Sequence, residues 1–315
     1  MDFRLTEDQR ALKRGVRELL ERRFDREALR GAVDGRGAGG AAVLDRELWR
    51  ELGAAGFFAL RLPEADGGVG LGLPEAVLLF EEAGRVLLPG PLIATHLAAG
   101  EVSGAGEGAV VVTAVDPSGL VEWLEAADVV LGDAEGAVAV RSVDPLTPLH
   151  RAPAVVGRAH PSRPAGRLPT TGAAETEAGS ASHEVSLLTA AEQLGSAART
   201  TELAVAHART REQFGQPIGG FQAVKHLCAR MLVRTEVARV AVYAAAVTAD
   251  PVEIAGARLL ADEAATACAR DCLQVYGGMG FTWEADVHLH LKRAWVRAER
   301  GLSGAAAEEL VAGSL

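Results

Sequence analysis

Apolar residues recur at helical spacing through the first hundred residues of the chain. Thr6 and Gln9 form a capping-box pattern, and the apolar stripe after them predicts a helix that ends near Phe24. Two more helices are expected before residue 100, and the glycine-rich stretch 31–40 predicts a loop. We therefore predict an all-helical N-terminal domain over residues 1–100.

Valine and alanine dominate the next part of the chain and replace the helical pattern. The stretches 110–115 and 129–143 predict short strands, with 133–136 as a turn. The stretch 160–182 is rich in Pro, Gly, Ser and Thr and has almost no large apolar side chain, which predicts a surface loop or flexible linker. A shortened β region with its linker is thus expected over residues 101–182.

The last third of the chain returns to helical spacing. Two apolar stripes of near-seven-residue periodicity predict helices that pack in a bundle. Asp250 and Pro251 are typical of the N-cap and first position of a third helix, which should end at Gly277–Gly278. A shorter helix is expected within 286–300. The predicted fold class is mainly α, with a helical bundle over residues 183–315.

The composition favours helices that pack closely through small side chains, because 49% of the residues are apolar but only 4% are aromatic. The net charge of −10, without a basic block, disfavours nucleic acid and anionic membrane surfaces as partners. The N-terminus lacks a signal-peptide pattern, and no apolar run reaches membrane-spanning length. A cytoplasmic protein is therefore expected.

The cysteines and histidines do not predict a metal site. Cys228, Cys268 and Cys272 have no second ligand pair and are expected to be reduced core thiols. His288 and His290 alternate near two basic residues without a third ligand, so we expect a polar edge instead.

The stretch from Arg211 to His226 is the most unusual of the chain, because it gathers an arginine, glutamines and two phenylalanines between two predicted helices. Free N–H groups at a helix N-terminus suit a phosphate, which Arg211 could clamp. Gln213 and Gln222 could hydrogen-bond a heterocycle or ribose, and Phe214 could stack on a ring. The spacing is equally typical of an ordinary helical hairpin with a capping arginine and a core phenylalanine.

A second motif, QVYGGMGF, places Gln274 just before Gly277 and Gly278. Glycines permit close approach of a ligand to the backbone, but Gly-Gly is also a common end of a helix. Alone, this motif is weak.

Together the two motifs resemble the C-terminal domain of the acyl-CoA dehydrogenase family. The matching text is RTREQFGQPIGGFQAVKH, followed about fifty residues later by QVYGGMGFTWEADVHLHLKRA. The N-terminal text LTEDQRALKRGVRELL and LWRELGAAGFFALRLPEADGGVGL is similar to the opening helices of that family. The resemblance covers residues 1–100 and 184–300. It implies a helical N-terminal domain, a central β domain and a four-helix C-terminal domain that holds FAD at subunit interfaces.

The resemblance also implies cofactor contacts, residue by residue. Four positions match residues that hold the ADP part of a neighbouring subunit's FAD: Arg211, Gln213, Phe214 and Gln222. The others match its remaining contacts or, for the last, a flavin-contacting threonine: Gln274, Gly277, Gly278 and Ser303.

The chain departs from the family pattern in two places. Between residues 100 and 183 it lacks the Thr-Glu-Pro-Gly-type and tryptophan-containing segments that cover the flavin ring and the thioester. The family's catalytic carboxylate abstracts the proton α to the thioester, and counting from Gly277–Gly278 its position here is Gly301. Some members take the base from the start of the first C-terminal helix, where Val185 aligns beside Glu184.

No carboxylate is predicted as the catalytic base. Glu299 is close to the missing base position, but an ion pair with Arg297 and Arg300 is expected. Glu192 lies within a stripe of small residues, where it could have the raised pKa that a base needs or could pair with a bundle arginine. His226 is expected in the core or in a hydrogen bond at the start of a helix.

We therefore hypothesise that the chain is the smaller subunit of a heteromeric acyl-CoA dehydrogenase, similar to actinobacterial pairs that shorten steroid side chains. A larger paralogue would supply the base and cover the flavin in a heterotetramer, which oxidises an acyl-CoA thioester with FAD and passes electrons to a separate acceptor. One alternative is a self-sufficient homomeric enzyme that uses Glu299, Glu192 or Glu184. The other is a non-catalytic scaffold that stabilises a partner.

Overall fold

The structure is a computed structural model, and it describes residues 4–35, 43–153 and 171–314. Within these residues the chain forms ten α-helices: α1 Glu7–Arg23, α2 Arg26–Asp34, α3 Arg46–Ala54, α4 Leu73–Arg85, α5 Leu92–Ala98, α6 Thr171–Thr210, α7 Gln222–Thr248, α8 Pro251–Tyr276, α9 Val287–Ala298 and α10 Gly304–Gly313. The strands are short: β1 Val112–Ala114, β2 Leu120–Glu122, β3 Val129–Leu131, β4 Val138–Val140, β5 Leu149–Arg151, β6 Glu212–Gln213 and β7 Gln216–Pro217. The prediction of a mainly α fold is confirmed.

Local capping sets the boundaries of the helices that the sequence predicts. Thr6 Oγ1 accepts a hydrogen bond from Gln9 N at 3.1 Å, and Thr6 N donates to Gln9 Oε1 at 3.0 Å, so a capping box begins α1. Asp250 caps α8 by accepting from two backbone N–H groups of its first turn, and Gly277 follows the last residue of α8. Both boundary predictions are confirmed.

The predicted loop 31–40 is wrong at its start. Residues 31–34 belong to α2, because Asp25 caps this helix by accepting a hydrogen bond from Ala28 N at 2.9 Å. The stretch 36–42 lies outside the described residues.

The predicted linker 160–182 is wrong over residues 171–182, which form the first turns of α6. This segment contains several alanines and two glutamates, which are strong helix formers. A shortage of large apolar side chains therefore does not prevent a helix here. Residues 160–170 lie outside the described part of the chain.

The middle of the chain forms two small sheets. β1 and β3 pair in parallel, whereas β2 and β4 flank β5 in an antiparallel sheet in which His150 lies opposite Val121 and Ala139. The predicted turn 133–136 lies between β3 and β4, but these strands belong to different sheets. The sequence does not predict β2 or β5, because three residues give no alternation to detect.

One large core joins the N-terminal helices to the C-terminal bundle. At the crossing of α4 and α6 the two backbones touch. A Cβ at Gly84 would overlap the backbone of Glu192, and a Cβ at Gly195 would overlap that of Glu81. The glycines therefore fix how closely α6, the longest helix, approaches the N-terminal helices.

Helices α6 and α8 run side by side in the same direction. Gln193 Nε2 donates to Asp262 Oδ1 at 2.8 Å, and about four turns further along both helices His207 stacks on Tyr276. The C-terminal ends of α6 and α8 therefore lie together, and the chain turns there to begin α7.

Candidate functional site

The turn between α6 and α7, residues 211–221, forms a short hairpin that we call the Arg211 loop. Strand β6 pairs with β7 across Phe214 and Gly215, whose φ angles of 54° and 79° are in the left-handed region. Glycine adopts this conformation readily, but a phenylalanine does so only at a cost of about 1–3 kcal/mol. The strained residue is one that the sequence selected as a cofactor contact.

The first seven residues of the Arg211 loop, 211–217, are exposed. Phe214 is 93% exposed and touches only the edge of Phe221, with ring centroids 6.0 Å apart. The prediction that this residue could be an ordinary core phenylalanine is therefore wrong. Arg211 is exposed and has no ion-pair partner among the described residues. An exposed aromatic ring and an unpaired guanidinium are thus both available to a ligand.

The N-terminus of α7 adds backbone donors next to these side chains. Phe221 is the N-cap residue, and its side chain cannot accept a hydrogen bond from the first turn. The first N–H groups of α7 therefore lack a side-chain cap and carry the partial positive charge of a helix N-terminus. Gln222 begins this helix, and its amide makes only a long contact of 3.5 Å to His226.

The second motif lies at the same end of the bundle. α8 ends at Tyr276, and residues 277–281, which we call the Gly277 loop, form a single 3-10 turn. Nothing lies within 4 Å of the place where a Cβ would stand at Gly277 or Gly278, and Gln274 is exposed on the last turn of α8. Both glycines thus leave their backbone open to a partner.

The stack of His207 on Tyr276 joins the two motifs. The ring centroids are 4.1 Å apart with an interplanar angle of 15°. His207 is one turn before Arg211, and Tyr276 directly precedes the Gly277 loop. Seven of the eight predicted contact residues are therefore gathered at one end of the bundle, although each remains a prediction as a cofactor contact.

Ser303, the eighth predicted contact, lies at the opposite end. A Cβ at Gly301 would stand 3.7 Å from Cγ1 of Val185, which is near the start of the buried part of α6. Val185 and Thr210 are 25 residues apart in that helix, or about 37 Å. Ser303 caps α10 by accepting a hydrogen bond from Ala306 N at 3.3 Å. Within one chain, Ser303 therefore cannot contact the part of a ligand that Arg211 contacts.

The carboxylates near Gly301 are held in ion pairs. Glu184 accepts two hydrogen bonds from Arg61, at 2.7 and 3.0 Å. Glu192 is buried and lies 2.8 Å from Nη2 of Arg297, which confirms the pairing with a bundle arginine. Both carboxylates are therefore paired with arginines of the same chain.

Glu299 does not form the ion pair that the sequence predicts. Its expected partners are used elsewhere, because Arg297 pairs with Glu192 and Arg300 pairs with Glu122 of the middle region. Glu299 is exposed at the C-terminal end of α9. Glu299 is therefore close to the base position in sequence, but it is not a buried catalytic group.

Buried arginines just before Gly301 in the sequence form a polar network. Arg293 of α9 pairs with Asp144 of the middle region, and Arg300, two residues after the end of α9, pairs with Glu122. These arginines line a cavity of about 30 Å³, enough for a water molecule but not for a thioester. Burial raises the pKa of Glu192 and lowers that of Arg297 to about 10, because neither charge is fully compensated for lost solvation.

The sequence misses this network because it joins residues more than one hundred positions apart. It also misses Trp123, the tryptophan of the middle region, which is 2% exposed and part of the main core. A ring buried there cannot cover a flavin from the surface of this chain. The spacing of Arg293 and Arg297, which places them on one face of α9, is the signal that could have revealed the network.

The remaining histidines and cysteines have structural positions. His288 and His290 are both buried, and His290 hydrogen-bonds Ser196 at 2.8 Å, so the predicted polar edge is wrong. His226 is exposed, which excludes a core position. Cys268 and Cys272 are buried free thiols as predicted, and burial raises the pKa of Cys272 to about 12.

Sequence comparison identifies the class of protein. Residues 183–306 match the acyl-CoA dehydrogenase C-terminal domain, and residues 6–108 match the acyl-CoA dehydrogenase N-terminal domain. These two matches cover more than half of the chain. The chain therefore belongs to the acyl-CoA dehydrogenase family, whose members are flavin-dependent oxidoreductases.

Relatives of nearly equal length are found in mycobacteria. The chain is 34% identical to acyl-CoA dehydrogenase IpdE2 of Mycolicibacterium smegmatis over 309 residues, covering 92% of this chain and 93% of the relative. It is 35% identical to IpdE2 of Mycobacterium tuberculosis, covering 91% of each. Acyl-CoA dehydrogenase FadE34 of M. tuberculosis is 37% identical, but the match spans only 39% of that protein.

Solved structures share the fold at low sequence identity. The ChsE4-ChsE5 complex of M. tuberculosis has a chain with a TM-score of 0.80 and 23% identity, covering 100% of this chain and 98% of that one. The FAD complex of PigA has a TM-score of 0.79 and 18% identity, with 100% and 99% coverage. In the part of the chain that the structure describes, no helix has both the length and the apolar character of a membrane span.

Proposed function

We propose that this protein is one subunit of a heteromeric, FAD-dependent acyl-CoA dehydrogenase and that a larger paralogue supplies the catalytic base. In this proposal the Arg211 loop and the Gly277 loop bind the ADP part of an FAD that belongs to the neighbouring subunit. The complex removes hydrogen from the α and β carbons of an acyl-CoA thioester. Electrons then pass to a separate acceptor.

The observation that carries the proposal is the distance between the two ends of the bundle. The Arg211 loop and the base position at Gly301 are separated by the length of α6 from Val185 onward, about 37 Å. A single FAD is too short to contact both. The Arg211 loop therefore serves a flavin whose base comes from another subunit.

The residues at the Arg211 end fit the chemistry of FAD. Arg211 is unpaired among the described residues and the α7 N-terminus has no side-chain cap, so both can bind a diphosphate. Phe214 offers an aromatic face, and Gln213, Gln222 and Gln274 offer amides for the ribose and adenine. Bound FAD would supply the oxidant for the α,β-dehydrogenation.

The base position explains why a partner is needed. Gly301 has no side chain, and Glu184 and Glu192 are held by Arg61 and Arg297. This chain can therefore orient a neighbour's cofactor, but it has no group in place to remove the α proton.

The names of the fold neighbours support both the heteromer and the substrate class. One neighbour is a complex of two proteins, ChsE4 and ChsE5, and another is described as the Tcur3481-Tcur3483 steroid acyl-CoA dehydrogenase, with a TM-score of 0.78 and 22% identity. We infer a CoA ester from steroid degradation as the substrate and a heterotetramer as the assembly. We also propose that the chain divides into three domains, with boundaries at residues 100 and 182.

The test compares the chain alone with the chain co-expressed with its larger paralogue. FAD content is measured from flavin absorbance per protein, and turnover from bleaching of the flavin by acyl-CoA. We expect FAD and bleaching only in the complex. Arg211→Ala should reduce FAD retention at least tenfold, because a guanidinium that binds phosphate is worth about 1.5–3 kcal/mol. Arg209→Ala is the matched control, since Arg209 is also exposed near the end of α6.

Three outcomes would contradict parts of the proposal. Flavin and turnover in the chain alone would establish the homomeric enzyme. A complex whose FAD content is the same with Arg211→Ala would favour the scaffold. Equal losses with Arg209→Ala and Arg211→Ala would mean that the effect comes from general positive charge rather than from a built contact.

A further inference from the structure

His207 and Tyr276 stack on each other at the end of the bundle where the Arg211 loop and the Gly277 loop lie. The resemblance to the family assigns a cofactor contact to neither residue. The centroids are 4.1 Å apart and the planes differ by 15°, which is nearly parallel stacking. Aromatic pairs in contact stabilise their arrangement beyond the effect of burial alone. This contact joins the last turn of α6 to the last turn of α8.

Each ring is connected through the backbone to one of the two loops. His207 O accepts a hydrogen bond from Arg211 N at 2.8 Å, so the ring and the guanidinium belong to the same final helical turn. Tyr276 directly precedes Gly277, whose φ of 61° turns the chain out of α8. A movement of either ring would therefore move the loop that follows it.

The second loop is also packed on Tyr276. A Cβ at Gly280 would stand 3.0 Å from Cβ of Tyr276, so the 3-10 turn folds back onto this residue. On the other side, a Cβ at Gly219 would lie 2.9 Å from the carbonyl oxygen of Ala208, so the Arg211 loop folds back onto the turn that contains His207. Both loops thus rest on the two stacked residues or their immediate neighbours.

We propose that His207 and Tyr276 are positioning residues that hold the Arg211 loop and the Gly277 loop in register for one ligand. The inference rests on the proposed function for the identity of that ligand, FAD. The coupling of the two loops is a property of this chain alone. Burial and the nearby Arg211 lower the pKa of His207, so the imidazole is neutral in the stack and adds no charge to the phosphate site.

The test measures coupling between loops that are more than fifty residues apart in sequence. Amide hydrogen exchange is followed in peptides covering 211–221 and 277–282 of the full chain, purified with its paralogue. His207→Ala should speed exchange in 277–282, and Tyr276→Ala should speed it in 211–221. His207→Phe should restore the wild-type rates, because phenylalanine can stack on Tyr276.

FAD retention provides a second reading. We expect His207→Ala to weaken FAD binding by about 2- to 10-fold and His207→Phe to leave it within twofold. Arg209→Ala is the control, because Arg209 is exposed two residues after His207 and stacks on no ring in the described structure. Global unfolding should remain cooperative in all these variants, so that the exchange rates of the loops are measured on folded protein.

Faster exchange confined to the loop that follows the mutated helix would overturn the coupling, and so would failure of His207→Phe to restore the rates. The proposed function fails separately, when Arg211→Ala does not change FAD content. If the loops are coupled but His207→Ala does not change FAD retention, then His207 and Tyr276 do not position the loops for FAD.

Discussion

The glycine contact between α4 and α6 makes a strong prediction about stability. A Cβ at Gly195 would overlap the carbonyl oxygen of Glu81 and stand 2.8 Å from the backbone nitrogen of Arg85. The obstacles are backbone atoms of a packed helix and cannot rotate away. Gly195→Ala must therefore separate α4 from α6, in the part of the core where both helices are almost entirely buried.

The size of the effect follows from two opposing contributions. Alanine stabilises a helix interior by about 1 kcal/mol relative to glycine. Overpacking a rigid core typically costs about 1–3 kcal/mol, and a backbone obstacle puts Gly195 at or above the upper end of that range. We expect a net loss of about 2 kcal/mol or more in the free energy of unfolding.

Gly256→Ala is the matched control. Gly256 is inside α8, and nothing lies within 4 Å of the place where its Cβ would stand. This variant should gain about 1 kcal/mol, so identical substitutions in two helices should have opposite signs. The assay is urea unfolding followed by circular dichroism, with the midpoint and slope compared at equal protein concentration. A Gly195→Ala protein as stable as Gly256→Ala would refute the close contact between α4 and α6.

Further predictions concern the buried charges and the base position. Replacing both members of the buried pair, Glu192→Leu with Arg297→Met, should leave the free energy of unfolding unchanged or raised, whereas Arg297→Met alone should cost about 3–5 kcal/mol, as measured by urea unfolding. Burial lowers the pKa of His96 to about 4 and of His290 to about 3, below the ordinary 6.5, so the unfolded chain binds protons that the folded chain does not. The stability that the neutral rings contribute is complete above pH 6.5, and it should fall by up to about 1.4 kcal/mol per pH unit for each histidine as the pH drops towards these values. A pH series of unfolding midpoints should show a smaller fall for His290→Asn. Gly301→Glu should not make the isolated chain active in a dehydrogenation assay, because the residue has a φ of 69°, which strains any residue with a side chain, and the proposed flavin site needs a second subunit.

Local chemistry in the sequence predicts much of the helical fold. The capping box at Thr6 and the Asp250 cap mark their helices because a cap is encoded within four residues. The start of α6 at Thr171 is not predicted, because a composition of small residues is compatible with both a linker and a helix. The pairing of β4 with β5 depends on tertiary contacts, which leave no periodic signal in strands of three residues.

The same distinction between local sequence and tertiary contacts applies to the candidate site. The members of the Arg211 loop are close in sequence, so the sequence could select them together. That Phe214 is exposed rather than buried could not be read from spacing, because a turn and a core contact use the same residue types. From the sequence, Glu192 could be a base with a raised pKa or the partner of a bundle arginine. Only the packing of α9 on α6 shows that it pairs with Arg297. Contacts such as His207 with Tyr276 join residues far apart in sequence and are visible only in the fold.

The separation of the two ends has a consequence for the whole assembly. In the complex that we propose, the Arg211 loop and the Gly301 end would face two different flavin positions, because α6 holds them about 37 Å apart. The first position receives an unpaired arginine, an uncapped helix N-terminus and an exposed aromatic ring. The second receives a glycine and a network of paired charges that links α9 to the middle region. Loss of the base at one end therefore places no constraint on the contacts at the other, and a chain without a base of its own can retain the contacts that a neighbour's flavin requires.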